Sequence, residues 1–248
     1  MYRKLFWFCL IGSYLSIIAP TRAQVKDTAA FHPKVSSFII PAALIGYGAV
    51  SLAGNNVIRE LDRTTKEELQ EDHPLFASHV DDYLQFVPAV AVYGLNLAGI
   101  KGRHNLGDAT GFFLVSEVIM NGTVHVLKTI TNRERPDHSG FNSFPSGHTA
   151  NAFATAEFLN QEYKDLSPWY GYAGYTVATA TGIFRMYNNR HWLSDVVAGA
   201  GFGILSTKLA YIIYPKLKRL VVGKGNMNYN LMPTYQGNHF GFSLNGAF

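Results

Sequence analysis

Five apolar segments dominate the chain and limit what it can fold into. They run from about Val35 to Gly54, Leu84 to Ile100, Asp108 to Leu127, Trp169 to Phe184 and Ser194 to Tyr214, and a shorter sixth runs from Thr149 to Leu159. Crossing a bilayer core takes ~20 helical residues, because each adds only about 1.5 Å. Several of these segments are shorter than that and several carry glycine or polar residues, so they predict helices packed on one another rather than isolated spans. Charged residues make up 15% of the chain, against roughly 25% in an ordinary soluble domain. The expected fold is therefore all-α, a membrane-embedded bundle of about six helices. A soluble helical protein with buried helices is the alternative.

The ends of the chain differ from this middle. Residues 1–23, with Arg3 and Lys4 ahead of an apolar run from Leu5 to Ile18 and with Thr21 and Ala23 at cleavage-like spacing, read as a secretory signal. The only cysteine, Cys9, lies inside it, so residues 24–223 form a domain without thiol chemistry. Residues 224–248 form a tail in which Tyr229–Tyr235 and His239–Leu244 read as a β-hairpin turned at "QGN", or as a flexible extension. Between the first two apolar segments, Val57, Ile58, Leu61, Leu69, Phe76 and Val80 alternate with charges of both signs. That is the pattern of one amphipathic helix, or two broken at Pro74, lying at an interface; a solvated connector fits as well.

Orientation gives two answers. Lys101 and Arg103 follow the second segment, and Lys216, Lys218, Arg219 and Lys224 follow the last, which places both on the cytoplasmic side. Counting every segment as a span from a cleaved signal gives the opposite. Either the signal stays or an early segment fails to cross; the basic-residue bias carries more weight. A net charge of +4 without a basic stripe gives no nucleic-acid footprint.

Three short blocks carry the chemistry. "KTITNRERP" spaces Lys128 and Arg135 by six residues, "PSGH" runs from Pro145 to His148, and "FRMYNNRHWLSD" holds Arg185, His191 and Asp195. All lie at helix ends. Lys128, Arg135 and Arg185 have no acidic partner at helical spacing, and three converging cations make a site for a multiply charged oxyanion. Ser146 and Gly147 open a helix, where backbone N–H groups and the helix dipole favour a phosphate. His191 and Asp195, four apart, can orient an imidazole for attack, with His148 opposite to protonate the leaving oxygen. Taken singly, each block is also an ordinary turn, cap or surface pair. Their order within 68 residues is more telling.

These blocks resemble the motifs of the type 2 phosphatidic acid phosphatases, Lys-x6-Arg-Pro, Pro-Ser-Gly-His and Ser-Arg-x5-His-x3-Asp, over roughly Asp108 to Tyr214. The resemblance implies a phosphatase that needs no metal or other cofactor and passes through a phosphohistidine. His191 would be the nucleophile, Asp195 its partner and His148 the general acid, with Lys128, Arg135, Ser146, Gly147 and Arg185 on the phosphate. Two departures are Phe184 in place of the usual serine and only eight residues between Pro136 and Pro145. The short form with a signal is similar to bacterial lipid A phosphatases. That implies lipid A as substrate at the periplasmic face of the inner membrane, with the membrane and the lipid phosphate as partners and no obligate protein partner. Undecaprenyl diphosphate, phosphatidylglycerol phosphate, a soluble periplasmic acid phosphatase and a non-hydrolytic lipid binder remain open.

Outside the three blocks, Glu117, Asn121 and His125 recur every four residues on the helix that ends at Lys128, a polar stripe in an apolar segment. The expected role is a seam bonded to a neighbouring helix, with substrate contact as the alternative. Glu157 reads the same way. Arg133, His138 and Arg190 lie beside the motif residues without an assigned role.

Overall fold

The computed structural model describes residues 34–222 and the backbone of residues 228–236 and 239–247; the expected signal, residues 1–23, lies outside them. A 3-10 turn over Val35–Phe38 leads into α1 (Ile39–Val50), followed by α2 (Val57–Asp72) and the single turn α3 (Val80–Leu84). The bundle continues with α4 (Val87–Leu97), α5 (Leu106–Thr131), α6 (Gly147–Tyr163), α7 (Pro168–Tyr187) and α8 (Leu193–Val222). The chain ends in β1 (Asn228–Gln236) paired antiparallel with β2 (His239–Ala247), from Asn228 opposite Ala247 to Gln236 opposite His239. The hairpin expectation holds, with longer strands.

Local chemistry sets the helix starts. The side chains of Asn56, Asn105 and Ser146 accept from the backbone N–H groups of Arg59, Asp108 and Thr149, each three residues on. Such caps satisfy donors that a helix leaves free at its first turn. α5 ends at Asn132, whose φ of 42° is left-handed, and this turns the chain back toward the bundle.

α6 is the central helix. Nearly every one of its residues is buried, and α4, α5, α7 and α8 all pack on it. Ala150, Ala152, Ala154 and Ala156 keep it narrow, and Gly199 on α8 lets the two backbones approach: a Cβ there would stand 2.7 Å from the Ser146 carbonyl oxygen. α5 and α8 run antiparallel. Ser116 bonds Thr207 at 2.7 Å midway, while Tyr214 and Lys218 donate to Asp108 at 2.9 and 2.6 Å at one end. Those two bonds flank Pro215, and α8 continues through it to Val222 rather than stopping at Tyr214.

Lengths differ from expectation. Among the described residues, α5 and α8 alone are long and apolar enough to cross a membrane. α4 has only 11 residues, about 16 Å of rise, which removes the basis for counting every apolar segment as a span. The charged connector is the two-helix form broken near Pro74, and it is not solvated throughout: Asp62 on α2 and Asp81 on α3 are buried. Glu157 is a structural node, accepting from Lys208 and Gln161 at 2.6 Å each and from the Tyr175 hydroxyl.

Because Gly199 presses on the turn that opens α6, Gly199→Ala is expected to overpack that contact by about 1–3 kcal/mol. Denaturant unfolding in detergent should show the loss, and turnover should fall with it, since the displaced atom is the Ser146 carbonyl oxygen.

Candidate active site

The three sequence blocks meet at one end of the bundle. Lys128 comes from the last turn of α5, Arg185 from the last turn of α7, and the Ser146-Gly147-His148 turn opens α6. His191 sits just ahead of α8, and Asp195 lies in that helix's first turn. A Cβ on Gly147 would stand 3.9 Å from Lys128 Cε, so the first two blocks touch. The Ser146 N–H donates to the Asp195 carbonyl oxygen at 3.0 Å, which ties the second block to the third.

The loop between α5 and α6 arranges the cations. Asn142 receives Lys128 Nζ on its carbonyl oxygen and Arg135 Nε on its side-chain oxygen at 2.8 Å, holding both cations from one residue. Burial and the neighbouring cations Arg185 and Arg190 lower the Arg135 pKa from its ordinary value, partly offset by Asp137 and Asp195. Like charges gathered this closely need an anion between them. Arg190 at 3.0 Å from Asp137 and His138 at 2.7 Å from Glu134 form rim pairs around this cluster.

Arg185 has no acidic residue at helical spacing, yet one meets it from far along the chain. Its Nη1 donates to Asp81 Oδ2 at 2.6 Å, while its buried Nε has no hydrogen-bond partner. The next residue, Asp82, holds His148 Nε2 at 2.8 Å. Short-range spacing cannot reveal these pairs, because α3 reaches the site from 66 residues away for His148 and 104 for Arg185. Ligand atoms of Asp81, Asp82 and His148 lie within 4.8 Å of one another, close enough to share a cation. In the structure Asp81 is committed to Arg185 and Asn188, and Asp82 to His148, so the carboxylates serve one cation, one amide and that ring.

His191 is 4% exposed. Burial, helped by the Lys128 and Arg185 cations and opposed by Asp195, lowers its pKa to about 4. The ring is therefore neutral through the physiological range. Its Nδ1 stands 3.7 Å from Asp195 Oδ2, beyond hydrogen-bond reach, and has no other partner. The Asp195 carboxylate is already engaged: Arg133 donates to Oδ1 at 2.7 Å, and the Ser143 hydroxyl and the Trp192 N–H donate to Oδ2 at 2.5 and 3.0 Å. The Ser146 hydroxyl, 2.9 Å from Thr149 Oγ1, caps α6. The hydroxyl and the N–H of Ser146 are thus both engaged within the protein.

Arg133 is the residue whose role sequence reasoning missed. Its guanidinium spans two buried carboxylates, Asp195 at 2.7 Å and Asp62 on α2 at 2.7 Å, and also donates to Ser51 and Ser194. Asp62 in turn accepts from the backbone and hydroxyl of Ser194 at 2.8 and 2.6 Å. The one available signal was an acidic residue at the apolar boundary of an amphipathic helix. The polar stripe is divided: Asn121 Nδ2 bonds Glu117 Oε2 at 3.1 Å, the Asn151 amide of α6 faces Glu117, and Asn121 and His125 are exposed.

Known proteins are similar to this chain over part of this region. Residues 137–219 match the model of the PAP2 superfamily. Over those residues the chain is similar to that superfamily. It is 43% identical over 166 residues to a lipid A 1-phosphatase of Porphyromonas gingivalis, covering 65% of this chain and 36% of that protein. It is 36% identical over 107 residues to phosphatidylglycerophosphatase B of Bacillus subtilis, covering 38% of this chain and 52% of that one. The chain thus spans about a third to a half of these relatives. The crystal structure of a transmembrane PAP2-type phosphatidylglycerolphosphate phosphatase from Bacillus subtilis is similar at a TM-score of 0.48 and 22% identity, over 73% of this chain and 98% of that one.

Two consequences can be measured. Arg133→Ala strands two buried carboxylates and is expected to cost about 3–5 kcal/mol in unfolding; adding Asp62→Asn should restore part of it. Burial and Arg185 depress the His148 pKa while Asp82 raises it. Asp82→Asn should therefore lower it further, so that the alkaline limb of the kcat/KM profile moves to lower pH. An unmoved limb would mean that Asp82 does not set the protonation of this ring.

Proposed function

We propose that the protein is a metal-independent lipid phosphatase acting through a phosphohistidine. The observation that carries this reading is the buried, neutral His191 set among the cations Lys128, Arg135 and Arg185, with His148 across the turn. The phosphate enters as the missing anion, taken by those cations and by the N–H groups at the start of α6. The His191 nitrogen turned away from Asp195 attacks phosphorus. The bond from phosphorus to the lipid oxygen breaks in line, and His148 gives its proton to that oxygen. A water then attacks the phosphohistidine, losing a proton to His148 and releasing inorganic phosphate and neutral His191. Charge on the transferring group is met by fixed cations, which is the part a metal ion plays in other phosphatases.

Lipid A, at its 1-phosphate, is the proposed substrate, supported by the 43% identity to the Porphyromonas gingivalis protein of that activity. The shorter 36% match to phosphatidylglycerophosphatase B favours phosphatidylglycerol phosphate as a second reading. The proposed setting is the inner membrane, with the site facing the periplasm. Lys101 and Arg103 precede α5, and Lys216, Lys218 and Arg219 end α8, at the end of this antiparallel pair where Lys218 meets Asp108. Cytoplasmic placement of that basic end puts Lys128 and His191 on the other side.

His191→Ala is expected to abolish phosphate release while leaving the unfolding transition in place, and the wild type quenched in turnover should carry base-stable, acid-labile phosphate on His191. Vanadate should inhibit and chelators should not. Mass spectrometry of membrane lipids with and without the gene identifies the substrate. Loss of one phosphate mass from lipid A supports the proposal, and a change confined to phosphatidylglycerol phosphate favours the second reading.

A further inference from the structure

Asn151, Thr155, Gln85 and Glu117 lie below the general acid and have no part in the chemistry described so far. His148 and Asn151 lie one turn apart on the same face of α6, followed by Thr155. Facing them, Asp82 and Gln85 are also three residues apart: Asp82 meets His148 at 2.8 Å, Gln85 Oε1 meets the Asn151 amide at 3.1 Å, and the Gln85 carbonyl oxygen accepts from Thr155 at 2.9 Å. Glu117 of α5 closes the third side, with both carboxyl oxygens 3.1 Å from the Asn151 amide. It lies 11 residues before Lys128, about 16 Å along the helix axis. A polar column thus descends from the general acid into an otherwise apolar bundle, where such groups are costly unless they serve a ligand or one another.

In-line displacement decides what meets this column. If His191 attacks phosphorus from one side, the departing oxygen lies on the other, at His148, and the lipid unit attached to it extends past His148 over Asn151, Gln85 and Glu117. We propose that these three residues form the leaving-group subsite and select lipids whose phosphate-bearing unit offers N–H or O–H donors, such as an amide-bearing sugar. The inference rests on the phosphatase reading above. Glu117 presents acceptor oxygens, and its carboxyl group holds more lone-pair sites than Asn121 fills, with the Asn151 nitrogen turned either to it or to Gln85 Oε1. A sugar carrying an amide and hydroxyls supplies the remaining donors. The diacylglycerol leaving from phosphatidic acid, or the prenyl phosphate leaving from undecaprenyl diphosphate, has no such donors and would desolvate those acceptors without compensation.

The test is kcat/KM for the purified full chain in detergent on lipid A, phosphatidic acid and p-nitrophenyl phosphate, with Glu117→Leu, Asn151→Leu and Glu117→Gln. The two leucine variants are expected to lose about tenfold or more on lipid A, while the other two substrates stay within about twofold. Glu117→Gln keeps the shape and one acceptor oxygen and should retain most lipid A turnover, which separates lost recognition from a damaged fold. Equal losses on all three substrates, or no loss on lipid A, overturn the subsite while leaving the phosphatase reading intact. A wild type that hydrolyses phosphatidic acid but not lipid A overturns both the proposed substrate and this inference.

Discussion

The guanidinium of Arg133 is the interaction on which the site depends. It is buried between two carboxylates, Asp62 from the amphipathic α2 and Asp195 from the first turn of α8. Neither carboxylate could stay charged there without a cation, and the cation could not be buried without them. The same contact fixes how α2 lies across the bundle and where Asp195 stands beside His191. Ser51, Ser143 and Ser194 fill the remaining donor and acceptor positions, so the network is closed by hydrogen bonds as well as by charge.

Around this anchor, the cations differ in how far they are paired. Arg133 is spent on structure, Arg185 is half spent, with Nη1 on Asp81 and Nε unpaired, and Lys128 and Arg135 are held by the neutral Asn142. Tethering cations through an uncharged amide keeps their positions without cancelling their charge. His191 differs from His148 for the same reason: the first is buried among cations and neutral, while the second is half exposed and has Asp82 to support its proton. In the proposed mechanism these two imidazoles take opposite roles, nucleophile and acid.

Much of this was legible before folding. The apolar segments foretold the helices, Ser146 and Gly147 marked the start of one, and the three motif blocks named residues that do converge at one end. The spacing arguments failed where partners came from far along the chain. Arg185 had no acid within helical reach, yet Asp81 meets it across 104 residues; Arg133 had no assigned role, yet Asp62 meets it across 71. The connector carrying both acids reads as charged and amphipathic, and nothing in its periodicity distinguishes an interface from solvent.

By itself the sequence determined which groups the chain possesses and where several helices begin, because capping, periodicity and residue chemistry act within a few residues. Tertiary structure alone decided which carboxylate neutralises which cation, why His191 is neutral, and that α4 is too short to span. Those outcomes follow from desolvation and close approach, which exist only once distant segments are packed and the water between them is gone.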